Sequence, residues 1–276
     1  MLNENKVSGH YQNTHLLAAI INGLKQLGKT PDTVKLEDLT AIEEFHIGGR
    51  IASKNLLEQL NLSHKNHVLD IGCGIGGASR FVASHFKSTV TGIDLTSEYI
   101  ETGRTLCSWF DLNNRINLHH GSALSMPFDD KTFDAAYMMH VGMNIEDKRR
   151  LFSEVNRLLC TGSLFGIYDV MQTGEGNLNF PVPWANSPEI SSLASVEHYK
   201  ETLKATGFEI ISEHNRRQLA LEFFSEQRTQ RIDSKKPPAL GLHLVMGDSI
   251  SSKMNNVVKS ISSGYLAPVE LIVRKI

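Results

Sequence analysis

A glycine-rich run flanked by two acids is the first place in this 276-residue chain where residue types and spacing could do chemistry. Val68-Leu69-Asp70-Ile71 reads as a buried strand, and Gly72-Cys73-Gly74-Ile75-Gly76-Gly77 follows it. Glycine permits the tight turn and lets a ligand approach the backbone, and a helix starting there offers unpaired N–H groups. Asp94 closes the next strand, 22 positions after Gly72, at the distance where an acid holds ribose hydroxyls. Asp70 would repel a diphosphate and suits a ligand that carries an ammonium. The glycines Gly72, Gly74 and Gly76 alternate, which is not the GxGxxG order of dinucleotide sites. A NAD-dependent oxidoreductase therefore stands as the alternative rather than the leading reading.

A second candidate lies at the end of Phe133–Met139, which reads as a strand and leads into His140. Ligands of open parallel sheets bind beyond the carboxyl ends of the strands. His140 can there bind a ligand or take a proton near neutral pH; an ordinary hydrogen-bonded loop histidine is the competing reading. Asn144 can point into the same cleft, whereas Met139 and Met143 read first as packing residues.

These residues need a scaffold, and the pattern supplies one. Residues 1–63 read as helical, with Leu17, Ile20, Ile21, Leu24 and Leu27 on one face, Asn13 or Thr14 as a cap, and Gly28 just past the end. A second helix is expected after Ser53, and Glu43 to Arg50 fits neither period. From His67 onward, strands at 68–71, 89–93, 116–119, 133–139 and 164–170 alternate with amphipathic stretches at 78–86, 97 to about 112, and 151–159. Such alternation implies a parallel sheet covered by helices on both faces. Gln172 to Pro188 is rich in Gly, Asn and Pro and longer than an ordinary loop, which suggests a cap. A helix from Ser195 to Lys204, a strand from Phe208 to Ser212, helices over 216–263 broken at Pro237-Pro238, and a last strand from Val269 to Val273 complete the chain.

Residues 67–170 resemble a class I S-adenosylmethionine-dependent methyltransferase of the type acting on small molecules. VLDIGCGIGG resembles the family's first motif, VTGIDLT the second, and HGSALSMPFDDKTFDAAY the third. The resemblance implies an α/β, Rossmann-like seven-stranded sheet with the last strand antiparallel. It also implies an N-terminal helical lid over 1–63 and a methyltransferase domain over 64–276, with 171–194 and 216–263 as cap segments. The donor is then S-adenosyl-L-methionine and the product S-adenosyl-L-homocysteine. Carried over position by position, Asp70, Gly72, Gly74 and Gly76 cradle the methionine part, Asp94 and Leu95 meet the ribose, and Met139 borders the reacting end. Ser122 stands where the family usually has Asp; its hydroxyl and the Ala123 N–H would meet the adenine. Cys160-Thr161-Gly162-Ser163 replaces the usual Pro-Gly turn before the fifth strand.

The likeness is greatest to glycine/sarcosine/dimethylglycine-type N-methyltransferases. These, with phosphoethanolamine and sterol methyltransferases, carry N-terminal aromatic and glycine-containing segments like those of Tyr11 and of Phe45-His46-Ile47-Gly48-Gly49. Tyr11 and His46 would thus cover the donor, and His140 would serve the acceptor. Trp184 and Phe180 are candidate substrate walls, whose faces would suit a cationic amine. Transfer to an amine nitrogen leads, with carbon methylation of a quinone- or sterol-like acceptor as runner-up. A sensor that binds the donor without turnover is a further alternative.

Composition narrows the classes. Lys and Arg number 28 against 30 Asp and Glu, which disfavours a nucleic-acid partner despite the local run Lys148-Arg149-Arg150. No apolar run reaches the ~18 residues of a membrane span, and MLNENKVSGH lacks the apolar stretch of a signal peptide. Three cysteines at unrelated spacings suggest neither a disulfide framework nor a metal site, so a reducing, cytoplasmic setting is expected. The expected partner is a small-molecule acceptor.

Overall fold

The computed structural model describes residues 2–12, 15–233, 238–246 and 249–276. Four helices lead: α1 (Leu2–Tyr11), α2 (Leu16–Gln26), α3 (Leu36–Glu43) and α4 (Gly49–Glu58). The α/β part follows as β1 (His67–Ile71), α5 (Gly77–His85), β2 (Thr89–Asp94), α6 (Ser97–Ser108), β3 (Ile116–His120), β4 (Phe133–Met139), α7 (Lys148–Leu158) and β5 (Leu159–Gln172). It closes with α8 (Val196–Ala205), β6 (Phe208–Asn215), α9 (Arg217–Asp233), α10 (His243–Met246), α11 (Ile250–Ser262) and β7 (Leu266–Lys275).

The seven strands form one sheet in the order β3-β2-β1-β4-β5-β7-β6, as expected for the Rossmann-like arrangement. β7 lies antiparallel between β5 and β6, while β1 to β5 pair in parallel. Both faces are buried, which is why Val68 and Leu69, neighbours that point to opposite faces, are both apolar and fully buried. Leu69 and Ile71 pack on one side with Phe152 and Leu203; Val68 packs on the other with Leu56 and Ile100. The strand order reverses between β1 and β4, and such a switch point opens a crevice at the carboxyl ends.

The N-terminal helices have no core of their own. Leu16, Ile20 and Leu24 of α2 and Leu39 and Ile42 of α3 bury against Ile75, Tyr99 and Leu106 of the sheet domain. Burying each such side chain contributes roughly 1.5–3 kcal/mol, so these helices are held by the domain they cover.

Several sequence expectations shift. Leu27 is exposed, because α2 ends at Gln26 and the chain reverses at Gly28, which has φ +70°. α4 begins at Gly49 rather than after Ser53; the Gly48-Gly49 pair hides a helical start that Ala52, Leu56 and Leu57 anchor by burial. Ser97 is the first helical residue of α6 rather than its cap, which is Thr96. Residues 160–163, expected as a turn, lie within β5, which begins directly after α7 at Leu159. Asn13, Thr14 and Pro237 lie outside the described residues. No helix among the described residues is long and apolar enough to cross a membrane.

Candidate active site

The crevice at the switch point is a cavity of about 740 Å³. The carboxyl ends of β1, β2 and β4, the segment Phe45–Ile47, helix α1 and the segments after β5 all contribute to its wall.

The glycine loop forms one end. Gly72 and Gly74 line the cavity in left-handed backbone, with φ +69° and +53°. A Cβ on Gly72 would come within 2.3 Å of the Val141 side chain, and one on Gly74 would approach the Phe45 ring at 3.3 Å. Gly72 therefore has no room for a side chain, and one on Gly74 would be strained by its backbone and tight against Phe45, before any ligand enters. Gly76 is not on the cavity wall; it caps α5 at φ +80°, against Arg80 and Leu118.

Asp94 clamps this loop to the end of β2. Its Oδ2 accepts from Gly74 N at 2.9 Å and its Oδ1 from Thr96 N at 2.8 Å. Burial raises its pKa, with both backbone N–H groups opposing the rise. A carboxylate has about four acceptor sites, so each oxygen still has capacity for a ligand hydroxyl. Asp70 is buried at the end of β1 and accepts from Ser79 Oγ at 2.6 Å. Burial pushes its carboxyl up to about 7 against the pull of the Ser79 and Tyr137 hydroxyls. A cation seated beside Asp70 would draw it back to the charged form, which makes this end of the cavity selective for one.

His140 stands at the mouth of β4 with φ +54°, its N–H donating to Tyr168 O at 2.7 Å. The imidazole stacks on Tyr168 at 5.2 Å and meets the edge of His46 at 6.0 Å. Its Nε2 is buried and has no hydrogen-bond partner, although the residue lines the cavity. Burial, reinforced by His46, holds its pKa well below the usual value, so the ring is neutral near pH 7. His46 is buried as well, and burial lowers its pKa too. Its Nε2 lies 2.9 Å from Ser53 Oγ and 3.1 Å from Glu44 Oε2. Glu44 also pairs with Arg50, and Glu43 pairs with Arg50 and the fully buried Arg80. These ion pairs pin the segment that carries Phe45 and His46 onto the loop.

Helix α1 covers the opposite side. Tyr11 donates from its hydroxyl to Asn144 Oδ1 at 3.0 Å, and Asn144 donates onward to Trp184 O at 2.8 Å and Ile190 O at 3.0 Å. Asn144 thus joins α1 to the segment after β5. Trp184 lines the cavity while Phe180 does not. Leu95, Ala123 and Met139 are on the wall as expected, but Ser122 is not. The Ser122 hydroxyl donates to Glu4 of α1 and accepts from Leu124 N. Sequence reasoning missed Glu4, Val141, Phe223, Phe224 and Met254, because only tertiary packing brings these distant residues to the wall. Among the described residues, no group of three or more His, Cys, Asp and Glu side chains is placed to hold a metal ion.

Residues 68–162 match a family described as a methyltransferase domain. Residues 68–162 are a methyltransferase domain, and its donor is S-adenosylmethionine. That assignment sets aside the oxidoreductase alternative, and the cradle fits the donor: a left-handed glycine loop, a ribose-competent acid and a cation-selective carboxyl. The methyltransferase domain has relatives of several kinds. An O-methyltransferase of Pyrenophora dematioidea is 27% identical over 207 residues, covering 74% of this chain and 76% of its own. The 24-methylenesterol C-methyltransferase 3 of Arabidopsis thaliana is 28% identical over 170 residues, 59% of this chain and 47% of that protein. The chain thus spans about half the length of the sterol relative. Phosphoethanolamine N-methyltransferase 2 of Haemonchus contortus, solved with S-adenosyl-L-methionine, superposes with TM-score 0.74 at 22% identity over 92% of this chain and 60% of its own. Geranyl diphosphate C-methyltransferase of Streptomyces coelicolor A3(2), solved with S-adenosyl-L-homocysteine, gives TM-score 0.68 at 18% identity over 82% and 80% of the two chains. At such identities the two structures speak for the fold alone.

Proposed function

We propose that this chain methylates an apolar small molecule, at a hydroxyl or carbon held beneath His140, with α1–α4 closing over the donor as a lid. The observation that carries the reading is the makeup of the cavity beyond the donor cradle. Met143, Ile145, Val170, Trp184, Phe223, Phe224, Val245, Met254 and Val257 make most of its wall, with His10, Asn144, Glu146, Asp147 and Lys253 among them. Among the described lining residues, Lys253 is the single Lys or Arg, and its Nζ donates to Met246 O at 3.4 Å. An amino-acid acceptor of the glycine or sarcosine kind brings a carboxylate, and burying one without a paired cation is costly. The runner-up from the sequence, a sterol- or quinone-like acceptor, therefore fits the wall better than the amine acceptor. The O- and C-methyltransferases among the relatives agree with that class.

When bound, S-adenosylmethionine supplies an electrophilic methyl carbon. The protein's part is alignment and proton handling. The Gly72–Gly74 turn and Asp94 fix the donor's position, and positioning of this kind supplies much of the acceleration of a displacement. The apolar wall holds the acceptor and excludes water. His140, neutral and with Nε2 free, takes the proton that the attacking hydroxyl or carbon sheds.

Release of S-adenosylhomocysteine tests the proposal. Purified protein is offered sterols, prenylated quinones and phenols in one set, and glycine, sarcosine and phosphoethanolamine in another. Turnover confined to the first set supports it; preference for the second by tenfold or more overturns it.

A further inference from the structure

The departure at Ser122 leaves a question of charge at the far end of the donor cradle. The resemblance implies a carboxylate at that position, yet the chain has a hydroxyl there, and Ser122 is not among the residues on the cavity wall. Its proton goes to Glu4 Oε1 and one lone pair to Leu124 N. Glu4, from α1, lines the cavity in its place. We infer that Glu4 is the acid that reads the exocyclic amine of the donor's base, a task moved from the sheet domain onto the first helix.

Topology fixes the direction in which the base extends. Asp94 sits at the end of β2, and β1 and β4 lie on one side of it with β3 on the other. The reacting end must reach His140 at the end of β4. The base, attached across the ribose from that end, therefore extends toward β3, where Gly121, Ala123 and Leu124 form the wall and Glu4 closes it. A carboxylate has about four acceptor sites, and Ser122 fills one of them. The remainder accept an amine N–H and repel a carbonyl oxygen. The site therefore selects an amino-bearing base such as adenine over its keto counterpart.

Helix α1 is held where this requires it. Ser8 Oγ donates to Leu95 O at 3.4 Å, His10 Nε2 lies 3.0 Å from Pro183 O, and Tyr11 bonds Asn144. Glu4 is thus presented by a helix tethered to the loop after β2 and to the segments flanking the acceptor cavity. The base pocket is complete only while α1 is docked.

Calorimetry on the full chain tests this without any acceptor, so the result is independent of the acceptor's identity. The probes are S-adenosylhomocysteine and S-inosylhomocysteine, which carries a carbonyl oxygen in place of the amine. The wild-type chain is expected to prefer the adenosyl ligand by tenfold or more. Glu4→Ala is expected to weaken that ligand about tenfold and to bring the preference close to one. Glu4→Ala combined with Ser122→Asp, which restores an acid on the sheet side, is expected to regain the preference. An unchanged thermal midpoint confirms that each variant is folded. Three results overturn the inference: wild-type affinity in Glu4→Ala, an equal drop for both ligands, or no recovery in the double variant. The second would mark α1 as a cover that does not read the base.

Discussion

Removing the Asp94 carboxylate separates two jobs that one side chain performs. In the structure its oxygens accept from Gly74 N at 2.9 Å and Thr96 N at 2.8 Å, and the residue lines the cavity. Hydrogen bonds to a charged acceptor contribute ~1.5–3 kcal/mol each. Two ribose hydroxyls at the low end make about 3 kcal/mol, or roughly a hundredfold in Kd. Asp94→Ala should therefore weaken S-adenosylhomocysteine by at least about a hundredfold in calorimetry. The two N–H groups left without their acceptor also loosen the loop, and that part of the loss does not depend on the ribose. A 2′,3′-dideoxy form of the ligand distinguishes the two contributions. The wild type should discriminate against it by about the full hundredfold, whereas Asp94→Ala should bind both forms alike. A folded Asp94→Ala chain that keeps wild-type affinity, or that keeps the discrimination, refutes the assignment of Asp94 to the ribose.

His140→Asn keeps a residue type that tolerates φ +54° while removing the imidazole. With an accepted substrate it should lower kcat by roughly 10²–10⁴ and leave S-adenosylhomocysteine affinity within about twofold. Because burial depresses the His140 pKa, the acid limb of the wild-type kcat profile should fall below pH ~6.5; a limb above that value contradicts the base assignment. Tyr199→Phe removes the hydroxyl that donates to the buried Asp169 at 2.7 Å and should cost about 1–3 kcal/mol in denaturant titration. Burial raises Asp169 to about 6, above its unfolded value, so its contribution is present at low pH and lost as pH rises through about 6. Without the Tyr199 donor the carboxylate is poorer still, and the deficit of the variant should grow between pH 5 and pH 7; a deficit that is constant with pH contradicts this. Finally, S-adenosylhomocysteine should slow hydrogen exchange around Tyr11 and His46 as well as at Gly72–Gly76. Protection restricted to the glycine loop would make α1–α4 a structural support rather than a lid.

The α/β order and the place of the glycine loop, Asp94 and His140 at the crevice were legible in the sequence, because each rests on a local rule. A parallel strand buried on both faces favours apolar residues at successive positions, left-handed backbone favours glycine, and the residues at the carboxyl end of a parallel strand lie at the crevice. Local rules also misplaced what depends on neighbours. The start of α4 is set by burial of Ala52 and Leu56, which outweighs the glycine pair before it. Gly72 needs its missing side chain because of Val141, 69 positions away in the chain. Only the tertiary structure decided how the cavity is walled. It routed the Ser122 hydroxyl to Glu4, pinned His46 through Glu44 and Ser53, and left His140 Nε2 without a partner. It also gathered Trp184, Phe224 and Val257 into one apolar stretch of the cavity wall. Each of these is a contact between residues far apart in sequence, and such contacts follow from which surfaces must be buried together rather than from any local pattern.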